Sequence, residues 1–326
     1  MNFYVEALQD EHKLLESVLD SYRNQLGGAV AKAFEALRSG SASRLMFCGM
    51  GSSYYAALSV IAPLNAAGIR ATAHNCYELL HYNLDAIDAN AVVVAISQSG
   101  NTPEVVSLVE ASMKRAAATV TMFNNPDCRL KGMADAEMLL EIGPETPISN
   151  KTYYAQVAQL NLLAAWLTGG DLDKMLAEIR KAISWHDEYV AAQTQITGDL
   201  IDTLKGVTLC DVLGDDAQLG AALQAGLVMR EMGGIPVCAH SLSDYNHGWF
   251  EIANPDYAMI IMADRLSEND EKMIAHCQKN GGRVLLFTPH RCSMKGLVMP
   301  EAPKSLLPLY TIVPAYFIAG LYRERA

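Results

Sequence analysis

Between residues 3 and 37 the apolar positions recur at helical spacing, as Leu14, Leu15, Val18 and Leu19 and then Val30, Phe34 and Leu37. An opening cap of helices over residues 1–40 is the expectation. From Arg44 the pattern changes to short, wholly apolar runs, such as Leu-Met-Phe-Cys at 45–48 and Ala-Val-Val-Val-Ala-Ile at 91–96. Each run is followed by a glycine-containing loop and then a helical pattern. Strands without polar alternation are buried on both faces, so these runs predict parallel sheets covered by helices, an α/β protein. Strand signals stop at Gly169-Gly170, residues 171–204 read as a long, mostly polar helical stretch, and strand signals return at Val207. The expected division is therefore a cap at 1–40, an α/β domain at 41–170, a helical linker at 171–205 and a second α/β domain at 206–326.

The second half repeats the first. Residues 209–213 followed by Gly214-Asp215-Asp216 mirror residues 45–48 followed by Gly51-Ser52-Ser53, and 91–104 aligns without gaps on 258–271. An internal duplication is the natural reading. The copies diverge in their loops: Ser97, Ser99 and Thr102 stand opposite Asp264, Leu266 and Asn269. An anionic ligand suited to the first loop would avoid the second.

Length and charge narrow the class. A chain of 326 residues, 51% hydrophobic and 19% charged, is long enough for two folded domains. Its net charge of −11, with no run of Lys and Arg to override it, works against nucleic acid and anionic membranes as partners. A phosphorylated metabolite is still compatible, because backbone amides at a helix start provide local positive potential. The first residues, Met1-Asn2-Phe3-Tyr4-Val5-Glu6, lack a basic stretch before an apolar run, so no secretory signal is expected and the cytoplasm is. Seven cysteines in an odd, scattered set without a C-x-x-C pair suit a reducing compartment and do not suggest structural zinc. The apolar stretch at 306–322 falls short of the roughly 18–20 residues of a membrane span and contains Pro308 and Pro314, so a buried terminal helix is expected.

The strongest chemical signal is Ser97-Gln98-Ser99-Gly100-Asn101-Thr102-Pro103-Glu104 at the end of the 91–96 run. It offers three hydroxyls, a glycine that permits close backbone approach, and Thr102 at the N-cap position ahead of Pro103. Such a loop can hold a phosphate without Lys or Arg; taken alone it also reads as an ordinary capped helix. Gly49-Met50-Gly51-Ser52-Ser53 is a weaker signal, and Tyr54 stands where a dinucleotide fingerprint needs a third glycine, which excludes a nicotinamide site. Two Ser-rich strand-to-helix loops in one parallel sheet point to a shared ligand at the carboxyl ends of the strands. The pairs His74/His81 and His240/His247 are each seven apart, about 10 Å along a helix, too far to share a metal ion; none is expected. No G-x-S-x-G elbow occurs, so a serine hydrolase is excluded.

Together Gly49-Met50-Gly51-Ser52-Ser53 and 97–102 resemble the paired sugar-phosphate loops of the sugar isomerase (SIS) family. The likeness covers nearly the whole chain, and its tandem arrangement resembles the isomerase portion of glucosamine-6-phosphate synthase and the fructosamine-6-phosphate deglycases. The resemblance implies two flavodoxin-like, three-layer αβα SIS domains in tandem, no cofactor, a phosphorylated sugar or amino sugar as substrate, and a homodimer with shared active sites. It implies phosphate binding by Ser52, Ser53, Ser97, Gln98, Ser99 and Thr102, and a substrate-side loop at 147–151 containing Ser149 and Lys151. Glu231 and His247, sixteen positions apart with His247 in a His-Gly turn, match the family's catalytic pair. The glutamate would move a proton between adjacent carbons of the open-chain sugar, and the histidine would assist ring opening. Aldose–ketose exchange through an enediol needs one carboxylate that both takes and returns a proton, and partial burial would suit Glu231 to that task.

Several positions depart from the synthase. Val228 stands where it carries a lysine one turn before the glutamate, and 323–326 reads Arg-Glu-Arg-Ala in place of a lysine-bearing tail. A glutaminase domain with its amino-terminal cysteine is not seen, so glucosamine 6-phosphate synthesis from glutamine is not expected. Glu251 in His247-Gly248-Trp249-Phe250-Glu251-Ile252 resembles the deglycases' His-Gly-x-x-Glu-Ile, with Trp249 replacing their proline. The expected function is a phosphosugar isomerase or deaminase. A deglycase is the alternative, and a non-catalytic sugar-phosphate sensor is the alternative of another class.

Overall fold

The computed structural model describes residues 3–145, 148–291 and 293–325. Among the described residues, ten strands form two five-stranded parallel sheets. In the first, β1 (Arg44–Gly49), β2 (Arg70–Asn75), β3 (Ala91–Ser97), β4 (Ala118–Phe123) and β5 (Ala136–Leu139) are ordered β2-β1-β3-β4-β5. In the second, β6 (Leu209–Gly214), β7 (Val237–Ser241), β8 (Tyr257–Met262), β9 (Arg283–Thr288) and β10 (Gly296–Val298) are ordered β10-β9-β8-β6-β7. Read from the opposite edge, the second order is the first, which is what a duplication predicts. The wholly apolar runs are central: every residue from Ala91 to Ile96 is 0% exposed, as expected for a strand covered on both faces.

Each sheet has its own helical layers. Val105, Val106, Leu108 and Val109 bury one face of the Pro103–Ser112 helix in the first core, and the Lys151–Leu167 helix is buried nearly all round. Around the second sheet lie the Ala217–Val228 and Glu268–Lys279 helices and the apolar terminal helix Pro308–Arg325. Among the described residues, Lys304–Tyr322 is the one helical segment long and apolar enough to cross a membrane, and 89% of its apolar window is buried inside the protein. It is a core element. A Cβ at Gly320 would lie 2.8 Å from Val5 Cγ2 and 3.1 Å from Tyr4 Cδ1, so the absence of a side chain there lets the first helix approach.

Contacts group the chain into two compact units. One comprises Met1–His12, Thr146–Ile148 and Lys181–Ala326; the other comprises Lys13–Glu145 and Ser149–Arg180. The helices Phe3–Gln25 and Leu172–Leu204 each contribute to both units, so the segments 1–40 and 171–205, read from the sequence as a cap and a linker, are shared out between them.

Candidate functional site

In the first sheet the chain leaves β1 toward β2 on one side, while β3 lies on the other. The crevice above the β1 and β3 carboxyl ends is therefore the topological switch point, where ligands of open α/β sheets bind. Cys48 pairs with Ala95, so the two Ser-rich loops leave the sheet side by side. Both glycines of Gly49-Met50-Gly51 are required. A Cβ on Gly49 would sit 2.7 Å from the Tyr54 amide nitrogen, and Gly51 has φ +49°. Ser52 and Ser53 follow, both buried. Ser53 Oγ accepts a hydrogen bond from Gln156 Nε2 at 3.1 Å, which ties it to the helix that begins with Lys151, itself buried.

The loop after β3 is organised by its own hydroxyls. Ser97 Oγ lies 3.0 Å from Thr102 Oγ1 and accepts from the Gly100 amide at 3.2 Å, while Ser99 Oγ accepts from the Asn101 amide at 3.2 Å. Thr102 occupies the N-cap position of the Pro103–Ser112 helix, but its side chain makes no capping bond. This corrects the expectation of a side-chain cap: Thr102 is bonded to Ser97, and the helix start receives no side-chain acceptor of its own. Its first amides stay available to an anion.

Beside this loop is a cavity of about 630 Å³ lined by Gln98, Ser99, Asn124, Asn125, Glu141 and Glu145, among others. Asn124 holds its wall. The Asn124 amide donates to Gln98 O at 3.1 Å, its side chain donates to Gly143 O at 2.7 Å, and its Oδ1 accepts from the Ile142 amide at 3.0 Å. Sequence reasoning missed Asn124, because an asparagine after a strand reads as an ordinary turn residue. Further on, Ser149 Oγ lies 2.9 Å from Thr152 Oγ1, and the Thr152 amide donates to Glu145 Oε2 at 2.9 Å. The substrate-side loop expected at 147–151 is thus anchored to the cavity rim through Glu145; Pro147 lies outside the described residues.

In the other unit, Glu231 sits on a single π-helical turn, Met229–Gly233, that ends the Ala217–Val228 helix. Such widened turns are frequent at functional sites. Glu231 is exposed, yet the surrounding protein still desolvates its carboxyl and raises its pKa above the usual 4.5. Val228 is fully buried, packed as a core residue. His247 is exposed and is followed by Gly248 at φ +107°, a left-handed conformation that explains the His-Gly pair. Trp249 begins a short 3₁₀ turn, so the turn forms without the proline. His247 lines a cleft of about 810 Å³ with Asp215, Asn246, Glu251, Asp270 and His276, among others; Glu231 does not line it. Glu251 pairs with His276 at 3.5 Å.

The second switch point, between β6 and β8, repeats the backbone of the first without its chemistry. Asp216 has φ 54° and ψ −128°, against φ 49° and ψ −126° at Gly51. Asp215 accepts from the Ser243 amide at 3.0 Å and from Ser241 Oγ at 2.8 Å, while Asp264 pairs with Lys304 at 3.2 Å and His290 at 3.4 Å. Carboxylates from within the chain satisfy the donors here. His74 lies 2.8 Å from Thr72 Oγ1 and the His81 ring packs on Tyr77. On the second sheet, however, the ligating atoms of Asp211, Cys238 and His240 lie within 4.8 Å of one another.

Residues 40–168 match the family model of the SIS domain. Over these residues the chain is similar to a SIS domain. Its full length is similar to the isomerizing glutamine–fructose-6-phosphate aminotransferases of Sulfurisphaera tokodaii and of Staphylococcus aureus strain COL. These are 22% and 23% identical over 98% and 99% of this chain. The chain spans about half the length of these curated relatives, 53% and 56% of each. Among solved structures, the C-terminal domain of glucosamine-fructose-6-phosphate aminotransferase from Francisella tularensis superposes with a TM-score of 0.84 at 16% identity, covering 99% of this chain and 96% of that one. Glucosamine-6-phosphate deaminase from Thermotoga maritima gives 0.71 at 19% identity, over 96% and 94%. Tagatose-6-phosphate ketose/aldose isomerase from Escherichia coli gives 0.75 at 14%, over 98% and 90%. These likenesses establish the fold: two parallel-sheet, three-layer α/β domains in tandem.

Proposed function

We propose that this chain is a phosphosugar isomerase or deaminase that transfers a proton between adjacent carbons of an open-chain keto- or amino-sugar 6-phosphate. The observation that carries the reading is the hydroxyl cradle at the β1/β3 switch point. Ser52, Ser53, Ser97, Gln98, Ser99 and Thr102 would hold the phosphate, with Ser149 and Lys151 on the sugar side. A dianion held by hydroxyls and helix-start amides is fixed at one end, which orients the carbon chain for chemistry at the other. Glu231 would act as the base that removes the proton beside the carbonyl and returns it to the neighbouring carbon, and its raised pKa favours the return step. His247 would move the proton that opens the ring. The relatives support a sugar 6-phosphate as the substrate class, since those cited name fructose, glucosamine or tagatose 6-phosphate.

Two further features belong to this reading. Cys48, Cys76, Cys128, Cys210, Cys238 and Cys277 are free thiols, in keeping with a cytoplasmic setting. Trp249 and Ile252 are large apolar side chains exposed at 58% and 49% near His247, the kind of surface that a second subunit of a homodimer would cover. A deglycase is the second reading, favoured by Glu251, which lines the same cleft as His247.

The test is a thermal-shift screen with fructose 6-phosphate, glucosamine 6-phosphate, N-acetylglucosamine 6-phosphate and a fructosamine 6-phosphate, followed by NMR of turnover on each stabilising compound. A ligand that binds and converts identifies the reaction by its product. Binding without turnover makes the chain a sugar-phosphate sensor, and failure of all four to bind removes the phosphosugar reading.

A further inference from the structure

Beyond the phosphosugar chemistry, the second sheet holds a cluster that the proposed reaction does not use. The β6–β7 register sets Asp211 against Cys238, and His240 follows Cys238 by two residues, so the three side chains share one face of the sheet. Their ligating atoms lie within 4.8 Å of one another. Asp211 is only 4% exposed. Its Oδ1 faces His240 Nε2 at 3.7 Å, too long for a hydrogen bond. That spacing is close to the roughly 3.3–3.6 Å between ligand atoms of one tetrahedral zinc ion, given metal–ligand bonds of about 2.0–2.3 Å.

The surroundings hold the cluster in place. Asp211 Oδ2 accepts from Tyr257 Oη at 2.9 Å and from Tyr245 Oη at 2.5 Å. These bonds occupy one carboxylate oxygen and leave the other directed at His240, the outer-shell arrangement that orients metal ligands. The His240 ring packs against Trp249 at 4.9 Å and Tyr245 at 5.9 Å between centroids. Cys238 and His240 are half-buried, so solvent has a route to the cluster.

We propose that Asp211, Cys238 and His240 form a three-ligand site for a divalent metal ion, and that zinc is the ion it takes. Thiolate, imidazole and carboxylate together match zinc and do not match magnesium or calcium, which take oxygen ligands. Binding would release the Cys238 thiol proton to solvent and leave the fourth position to water or another donor. Spacing along the chain conceals this site, because its members meet across neighbouring strands. The plain alternative is an Asp211–His240 ion pair beside an unrelated thiol, and it predicts no response to metal.

Cobalt(II) distinguishes the two. The full chain, stripped with chelator and titrated anaerobically with Co²⁺, should bind one equivalent and develop a thiolate-to-cobalt charge-transfer band that Zn²⁺ displaces. Cys238→Ser, nearly isosteric, should lose the band while its circular dichroism in chelator is unchanged, and His240→Gln provides a second variant should the first fail to fold. Absence of the band, or its persistence at full strength in Cys238→Ser through another thiol such as Cys128, means an adventitious ion only and overturns the proposal. No readout depends on turnover, so the outcome is separate from the fate of the isomerase reading.

Discussion

Thr102 Oγ1 lies 3.0 Å from Ser97 Oγ, so the residue at the start of the Pro103–Ser112 helix bonds back to the strand end rather than to its own helix. The two hydroxyls pre-position each other at the mouth of the crevice. Thr102→Val keeps the shape and removes one donor. The lost Ser97 bond should cost about 1 kcal/mol of stability. Loss of a hydrogen bond to a charged phosphate is larger, about 1.5–3 kcal/mol, and should weaken phosphosugar binding roughly 10- to 100-fold by calorimetric titration. Unchanged affinity would place the phosphate elsewhere.

Gly100 carries both a conformational and a packing demand. Its φ is +64°, and a Cβ there would lie 2.3 Å from Cys128 Sγ and 2.7 Å from Cys128 Cβ. Gly100→Ala should therefore destabilise the protein by about 1–3 kcal/mol and displace the loop that Ser97 and Ser99 belong to. Cys128→Ala should restore little, because the Cβ conflict persists. Thermal melts of the single and double variants with and without ligand check this; full rescue by Cys128→Ala would show that the sulfur alone was the obstacle.

Much of this is legible in the sequence, for a physical reason in each case. A strand buried on both faces must be apolar throughout, so Ala91–Ile96 announced itself. The loops at the β1/β3 switch point combine glycine with hydroxyls, so 49–53 and 97–102 stand out. Other features depend on neighbours that one-dimensional spacing does not reveal. The stretch at 171–204 is mostly polar by count, yet Leu176, Ile179, Ile183, His186 and Tyr189 are all buried; the polar majority hides that stripe. Asn124 depends on backbone groups in two separate loops, and the π turn at Glu231 has no composition of its own.

Glu231→Gln tests the proposed base. The amide preserves shape but cannot accept a proton, so phosphosugar affinity should remain within a few-fold while kcat falls by roughly 100- to 10,000-fold. Because desolvation raises the Glu231 pKa above 4.5, the base is lost to protonation at a higher pH than an ordinary carboxylate. The acid limb of kcat should accordingly lie above that value, with activity falling as pH drops through it. Equal turnover in the variant would remove Glu231 from the mechanism.

His186 should make the fold sensitive to acid. It is fully buried; desolvation above all, with the neighbouring His12 adding, lowers its pKa from 6.5 to about 3, against a smaller opposing bond to the Leu8 backbone. The groups that face it are His12, with ring centroids 4.8 Å apart, and Glu11, whose Oε1 is 3.8 Å from His186 Nδ1. His12 is in turn paired with Asp187 at 3.1 Å. In the unfolded chain His186 takes a proton near pH 6.5, and in the folded chain only near pH 3, so between these values the unfolded state holds more protons. Its contribution is therefore complete above about pH 6.5 and is lost progressively as pH falls toward 3, by roughly 3–5 kcal/mol across the window. Urea unfolding at a series of pH values should show that slope, and His186→Gln should flatten it by about one proton while lowering stability at neutral pH. A variant with the wild-type slope would therefore assign the acid sensitivity to groups other than His186.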